Sequence, residues 1–295
     1  MIFNKFFILF KIGRKIGKSN IINIVSETHK IPVFIKLFFN LLAFSFSSSN
    51  NTKSKDKENL SESIQEMGTT FIKLGQFLAT RPDIIGEKLS KELESLQDKL
   101  PPFSKKEAEK IIIENLGQSN FDDIIDLSEP IAAASIAQVH KAKIKEDNII
   151  KNVAIKVLRP NIKKIFNDEI DAIMLLAYIV ESLISKTKRL KLIEVVFLFK
   201  EITNHEMDLR FEAAAANEYA ENTKNDLGFF VPKIYWNFTS ESVLTLDWVD
   251  GVSIREKDLL KEKNIETSKI ATNLIQHFLR HAVRDGFFHA DMHQG

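Results

Sequence analysis

Two short runs of alternating polarity lie close together near the middle of the chain, and they constrain its fold more than any other feature. The stretch IAAASIAQVHKAKI, from Ile131 to Ile144, alternates from Ser135 onward, and NVAIKVLRP carries an apolar run from Val153 to Leu158 that stops at Pro160. A period of two places successive side chains on opposite faces of an extended backbone, so these runs predict two adjacent antiparallel strands. The flanking segments repeat with a helical period instead. An α+β fold is expected, with a small sheet set among helices.

Upstream, LSESIQEMGTTFIKLGQFLATRPDIIG has Ile64, Met67, Phe71, Leu74 and Leu78 at helical spacing. It reads as one helix capped by Ser61 or Ser63 and closed at Arg81-Pro82. Gly75 sits inside it beside Lys73 and Gln76, and a helical glycine costs about 1 kcal/mol against alanine, so close packing has to justify it. Further helices are predicted over residues 86–98 and 104–116, separated at Pro101-Pro102. A long helix from about Asn161 to Ser185 follows the second strand. Glu206, Asp208 and Glu212 then read as one helical segment, with Asp208 and Glu212 four residues apart on one face. Like charges so placed repel unless cations intervene, and Lys156 and Lys73 are the candidates. Strand-like runs at 233–236 and 242–248, a hinge at 249–251 and an amphipathic helix ending near Gly286 lead to GFFHADMHQG.

With 295 residues, 44% hydrophobic and 27% charged, the chain suffices for one large or two ordinary domains. Its 41 basic and 40 acidic residues leave a net charge of +1, so no global field argues for nucleic acid, and none is expected as a partner. The absence of cysteine excludes disulfides and Cys-ligated metal centres. Residues 1–46 are basic and Phe-rich but too interrupted to span a bilayer, which needs roughly 20 mostly apolar residues. They fit an interfacial helix on an anionic leaflet, the alternative being a helix packed on the rest of the protein. Residues 47–59 read as a solvated linker. His289 and His293 are four apart in a presumed loop with no third ligand nearby, so no metal site is assigned.

Val153-Ala154-Ile155-Lys156 is the protein-kinase string in which the lysine reaches nucleotide phosphates and pairs with a helical glutamate. No glycine-rich loop precedes it; Ala132, Ala133, Ala134 and Ser135 stand there, and alanine avoids the positive φ that glycine enters freely. In order, FIKLGQ, AAASIAQVHKA, VAIKVLRP, EMDLRFEAAAANEY, VPKIYW with VLTLDWVDG, and GFFHADMHQG resemble the UbiB/AarF family of atypical protein-kinase-like proteins, from about residue 60 onward.

The resemblance implies a protein-kinase-like fold with a small β-rich N-lobe, a helical N-terminal extension and an incomplete helical C-lobe. Its expected divisions are 60–127 for the extension, 128–251 for the N-lobe with a helical insert, and 252–295 for the start of the C-lobe. Lys73, Gly75 and Gln76 match the occluding motif of the extension, and Glu206 and Asp208 its Glu-x-Asp partner. Ala132 to Ser135 and Lys156 match the nucleotide-binding residues, with Glu212 pairing the lysine. Asp291 matches the catalytic-loop aspartate. ATP or ADP with magnesium is the implied cofactor. The implied role is that of a kinase-like ATPase supporting ubiquinone biosynthesis, peripheral on the cytoplasmic face of a bacterial inner membrane or on the mitochondrial inner membrane. Membrane lipids, quinone precursors and other biosynthetic proteins would be its partners.

Met292 and Gln294 replace two prolines of the family's loop, and Gly295 precedes the expected metal-binding asparagine and Asp-Phe-Gly aspartate. The expectation is therefore a catalytic loop cut in mid-motif, catalytically incomplete in this chain. A noncatalytic nucleotide- or lipid-binding accessory protein and an inert remnant of a disrupted gene are the alternatives.

Overall fold

The computed structural model describes residues 2–19, 21, 24, 60–96, 100–183 and 185–290. The apolar run after residue 30, the 47–59 linker and Asp291 with the rest of its loop lie outside the described residues. Helices α1 (Ile2–Lys18), α2 (Leu60–Met67), α3 (Thr69–Ala79), α4 (Pro82–Ile85) and α5 (Glu87–Glu94) come first. Then come α6 (Lys105–Leu116), α7 (Gln118–Asp122) and the strands β1 (Ile124–Ile125), β2 (Pro130–Ala133), β3 (Ala137–Glu146) and β4 (Ile149–Leu158). Helices α8 (Ile162–Leu183), α9 (Leu192–Glu206) and α10 (Leu209–Thr223) precede β5 (Val243–Asp247), α11 (Lys257–Glu262) and α12 (Thr267–Arg280). Two compact units interleave in sequence: residues 1–102, 133–137 and 159–207 make one, and 103–132, 138–158 and 208–295 the other.

The first unit is helical. Along α1, Ile8, Leu9, Ile12 and Ile16 recur at helical spacing and pack on Met67, Phe71 and Ala172, while Phe7 and Phe10 stay exposed. The single helix predicted from residue 61 to 80 is two, because Gly68 adopts φ 101° and ψ −176°, a region essentially reserved for glycine. Neither predicted serine cap stands at a helix start. Ser61 and Ser63 are buried within α2, where the Ser61 hydroxyl donates to the Glu92 carbonyl at 2.6 Å. Gly75 has the packing reason its sequence position demanded: a Cβ there would lie 2.5 Å from Leu96 Cδ1 and 3.4 Å from Ile64 Cγ2. Phe199 of α9 meets Phe77 and Phe166 at centroid separations of 5.5 Å each.

The second unit is built on an antiparallel sheet in the order β1-β3-β4-β5, with β2 paired to β3. Asp147 and Asn148 join β3 to β4 with φ of 51° and 63°, the positive pair that a two-residue hairpin turn requires. Val153, Ile155 and Val157 are fully buried against Ala108 and Ile112 of α6, so the intervening Ala154 and Lys156 face the other way. A reciprocal capping box between Ser104 and Glu107 starts α6. The predicted strand at 233–236 shrinks to one bridge, Ile234 to Leu246, and Trp236–Phe238 turns into a short 3₁₀ segment. The predicted final helix keeps its α form to Arg280 and widens into a π turn over His281–Asp285. Leu274, Ile275, Leu279 and Val283 leave its apolar side exposed. Among the described residues no helix is long and apolar enough to cross a membrane.

Candidate functional site

Lys156 stands on β4 two residues from Ala154 on the sheet face opposite the core, and the register places it beside Leu244 of β5. Its ammonium donates to both carboxylate oxygens of Glu212, at 3.0 Å and 2.7 Å. Glu212 lies in the first turn of α10, where a carboxylate also complements the helix N-terminus. Both side chains are partly solvated, 27% and 47% exposed, so the pair fixes a cation in place more than it stabilises the fold.

Asp208 is not on a helix face with Glu212. The chain breaks after Glu206, and Asp208 becomes the N-cap of α10, accepting from the Arg210 backbone N–H at 3.1 Å. The Arg210 guanidinium grips the same carboxylate at 2.9 Å and 2.6 Å. The predicted clash between neighbouring carboxylates therefore does not arise. In the helical unit, Lys73 of α3 pairs with Glu206, the last residue of α9, at 2.9 Å. Gln76 is half-buried one turn further along α3, past Gly75.

The alanine-rich stretch is strand before it is loop. Ala132 and Ala133 end β2, and Ala134 turns back so that its N–H meets the Ala137 carbonyl at 2.8 Å. Arg159 donates to the Ala134 carbonyl from Nε at 3.0 Å and Nη2 at 2.7 Å, and Thr69 donates to the Ser135 carbonyl at 3.2 Å. No residue of this stretch has a positive φ, as alanine's Cβ dictates.

A cluster that sequence reasoning missed closes the far end of α10. Asp226 accepts from Arg284 at 2.8 Å and 2.9 Å and from His281 Nε2 at 2.9 Å, with Arg280 3.5 Å away. The hydrogen bonds from Arg284 hold its carboxyl well below the usual carboxylate range, and His281 adds to the shift. A carboxylate only accepts, so His281 carries a proton on Nε2; in that tautomer Nδ1 accepts from the Tyr219 hydroxyl at 2.7 Å. Burial pushes the Tyr219 hydroxyl up, and the His289 backbone N–H directed at its oxygen pulls it down. Histidines at 277 and 281 and arginines at 280 and 284, each four apart, were the visible signal.

Asp226, His277 and His281 have ligand atoms within 4.8 Å of one another, and buried His277 Nδ1 has no hydrogen-bond partner. The trio nevertheless suits a divalent cation poorly, since two guanidiniums already neutralise its one carboxylate. Two imidazoles are also a poor set for magnesium, which takes oxygen ligands.

A model of the ABC1 atypical kinase-like domain matches residues 95–295. A probable protein kinase UbiB of Marinobacter nauticus is 33% identical over 267 residues, covering 90% of this chain and 48% of that protein. One from Pseudomonas aeruginosa is 31% identical over 289 residues, covering 97% and 54%. Among solved structures, the complex of Rv3197 with erythromycin from Mycobacterium tuberculosis superposes with a TM-score of 0.55 at 25% identity, over 76% of this chain and 54% of that one. The chain spans about half the length of the curated relatives it matches.

Proposed function

Because this chain belongs to the ABC1 atypical kinase-like family, the UbiB/AarF proteins, we propose that it carries the nucleotide-binding half of an atypical kinase or ATPase acting in support of ubiquinone biosynthesis. The observation that supports this best is the two-oxygen ion pair between Lys156 and Glu212. An ATP or ADP phosphate fits there, because the pair holds an ammonium on the exposed side of a strand whose other side is core. When bound, the nucleotide supplies the phosphoryl group. The chain supplies a fixed cation from Lys156 and its orientation from Glu212, and the nucleotide-binding role of Ala132 to Ser135 is proposed on the family resemblance alone. The magnesium part of the proposal rests on family resemblance alone, as does the assignment of Asp291 as catalytic. Quinone precursors, lipids and other biosynthetic proteins are proposed partners on the same footing.

Lys73 and Glu206 tie α3 to α9, and the proposal gives Lys73, Gly75, Gln76, Glu206 and Asp208 the regulatory role that the family's motif implies. Membrane association, at the cytoplasmic face of a bacterial inner membrane or at the mitochondrial inner membrane, is supported by the exposed Phe7 and Phe10 on a helix whose charged residues are all basic.

Equilibrium titration with a fluorescent ATP analogue and magnesium tests the nucleotide reading. The intact chain should bind, and Lys156→Met and Glu212→Gln should each weaken binding by about tenfold or more with the thermal midpoint little changed. Equal affinity in wild type and Lys156→Met would overturn it. Binding without hydrolysis, in this chain and in a form of relatives' length, would favour the noncatalytic accessory role.

A further inference from the structure

We infer that Tyr219 is a positioning residue through which the Lys156–Glu212 pair governs the Gly286–Ala290 segment. The inference rests on reading that segment as a catalytic loop, and every contact it uses lies within the sheet-containing unit. Glu212 and Tyr219 are seven residues apart on α10, two turns along one face. One end of that face meets the strand lysine; the other meets the approach to the loop.

Tyr219 touches that approach at several points. Its hydroxyl donates to His281 Nδ1 at 2.7 Å. Its ring packs edge-to-face on His281 at 5.1 Å, on Phe287 at 6.1 Å and on Phe229 at 5.3 Å. One turn further along, the Asn222 carbonyl accepts from Arg284 Nη2 at 3.1 Å, and Asp226 and Asp285 share the guanidinium between them. The π turn at His281–Asp285 widens the helix where these groups enter, a distortion frequent at functional sites. A shift of α10 that followed loss of the Lys156–Glu212 pair would therefore move both the hydroxyl that donates to His281 and the ring that packs on Phe287.

Amide hydrogen exchange over Gly286–Ala290 in the full chain tests this without requiring turnover. Tyr219→Phe keeps the ring and deletes the hydroxyl. It should speed exchange there by about five- to tenfold, the loss of one ordinary hydrogen bond, while far-UV circular dichroism and ATP-analogue affinity stay as in wild type. Glu212→Gln, which never touches the segment, should speed the same amides, and the double variant should add nothing further. Arg284→Lys, on an exposed side chain, provides a second loosening of the same approach should Tyr219→Phe fold poorly. Unchanged exchange in Tyr219→Phe, no effect of Glu212→Gln on the segment, or additive effects in the double variant would each overturn the inference. Failure of the wild-type chain to bind nucleotide would instead overturn the functional reading, and the exchange results would still decide the coupling.

Discussion

Asp226 receives Arg284, His281 and the nearby Arg280 on one carboxylate, and this makes it the residue whose charge state the fold notices most. Its folded pKa lies below the value of about 4 of an unfolded aspartate, so the protonated unfolded chain gains on the native one as pH falls. The stabilising contribution is complete above that value and drains away toward the folded pKa. Asp226→Asn should therefore be less stable than wild type at pH 7, and the gap should narrow by pH 3, as urea denaturation at the two pH values would read. Asp83 and Asp285, each lowered first by hydrogen bonds from its own arginine, drift in the same direction, which is why the difference between variant and wild type is the quantity to follow. Lys156 was legible from its strand string, and Glu212 as its partner through the family resemblance. Tyr219 and Asp226 were not, because their partners lie 62 and 55 residues away and no local period records them.

Helix boundaries set where each of these side chains points. Gly75 lets Leu96 and Ile64 close over α3, so bulk there acts on helix packing rather than on the helix itself. Gly75→Ala should be near neutral, since the helix-propensity gain of about 1 kcal/mol is offset by displacing a Leu96 methyl that can rotate aside. Gly75→Val should cost about 1–3 kcal/mol by overpacking, read as a lower denaturation midpoint with an unchanged slope. The hairpin, α6 and the long helix after Pro160 followed from period and from the breaks at Pro101-Pro102 and Pro160. The break at Gly68 did not, because Met67 and Phe71 keep their helical spacing on either side of it. Asp208 was misplaced for a related reason: an aspartate serves equally on a helix surface or as a cap, and only the backbone at Met207 decides.

At the scale of the whole molecule, α1 offers protein one apolar stripe and solvent another. Ile8, Leu9, Ile12 and Ile16 are taken up by the helical unit, whereas Phe7 and Phe10 are free, with Lys11 4.7 Å above the Phe7 ring. The chain should co-sediment with vesicles containing anionic lipid and less so at high salt. Phe7→Ser with Phe10→Ser should lower partitioning by about tenfold or more. Equal binding to uncharged vesicles, or indifference to the two substitutions, would count against a lipid-facing α1. The sequence had offered both readings of this segment, interfacial or packed, and α1 has a face suited to each. The interleaving of the two units in sequence also dictates an order of events on the ribosome. Ile12, Met67 and Phe71 emerge long before Ala172 of α8, which completes their cluster, and the hairpin is synthesised in between. The unit that begins first therefore stays open until α8 and α9 have been made, and its half-built apolar surface is what a nascent-chain chaperone would meet.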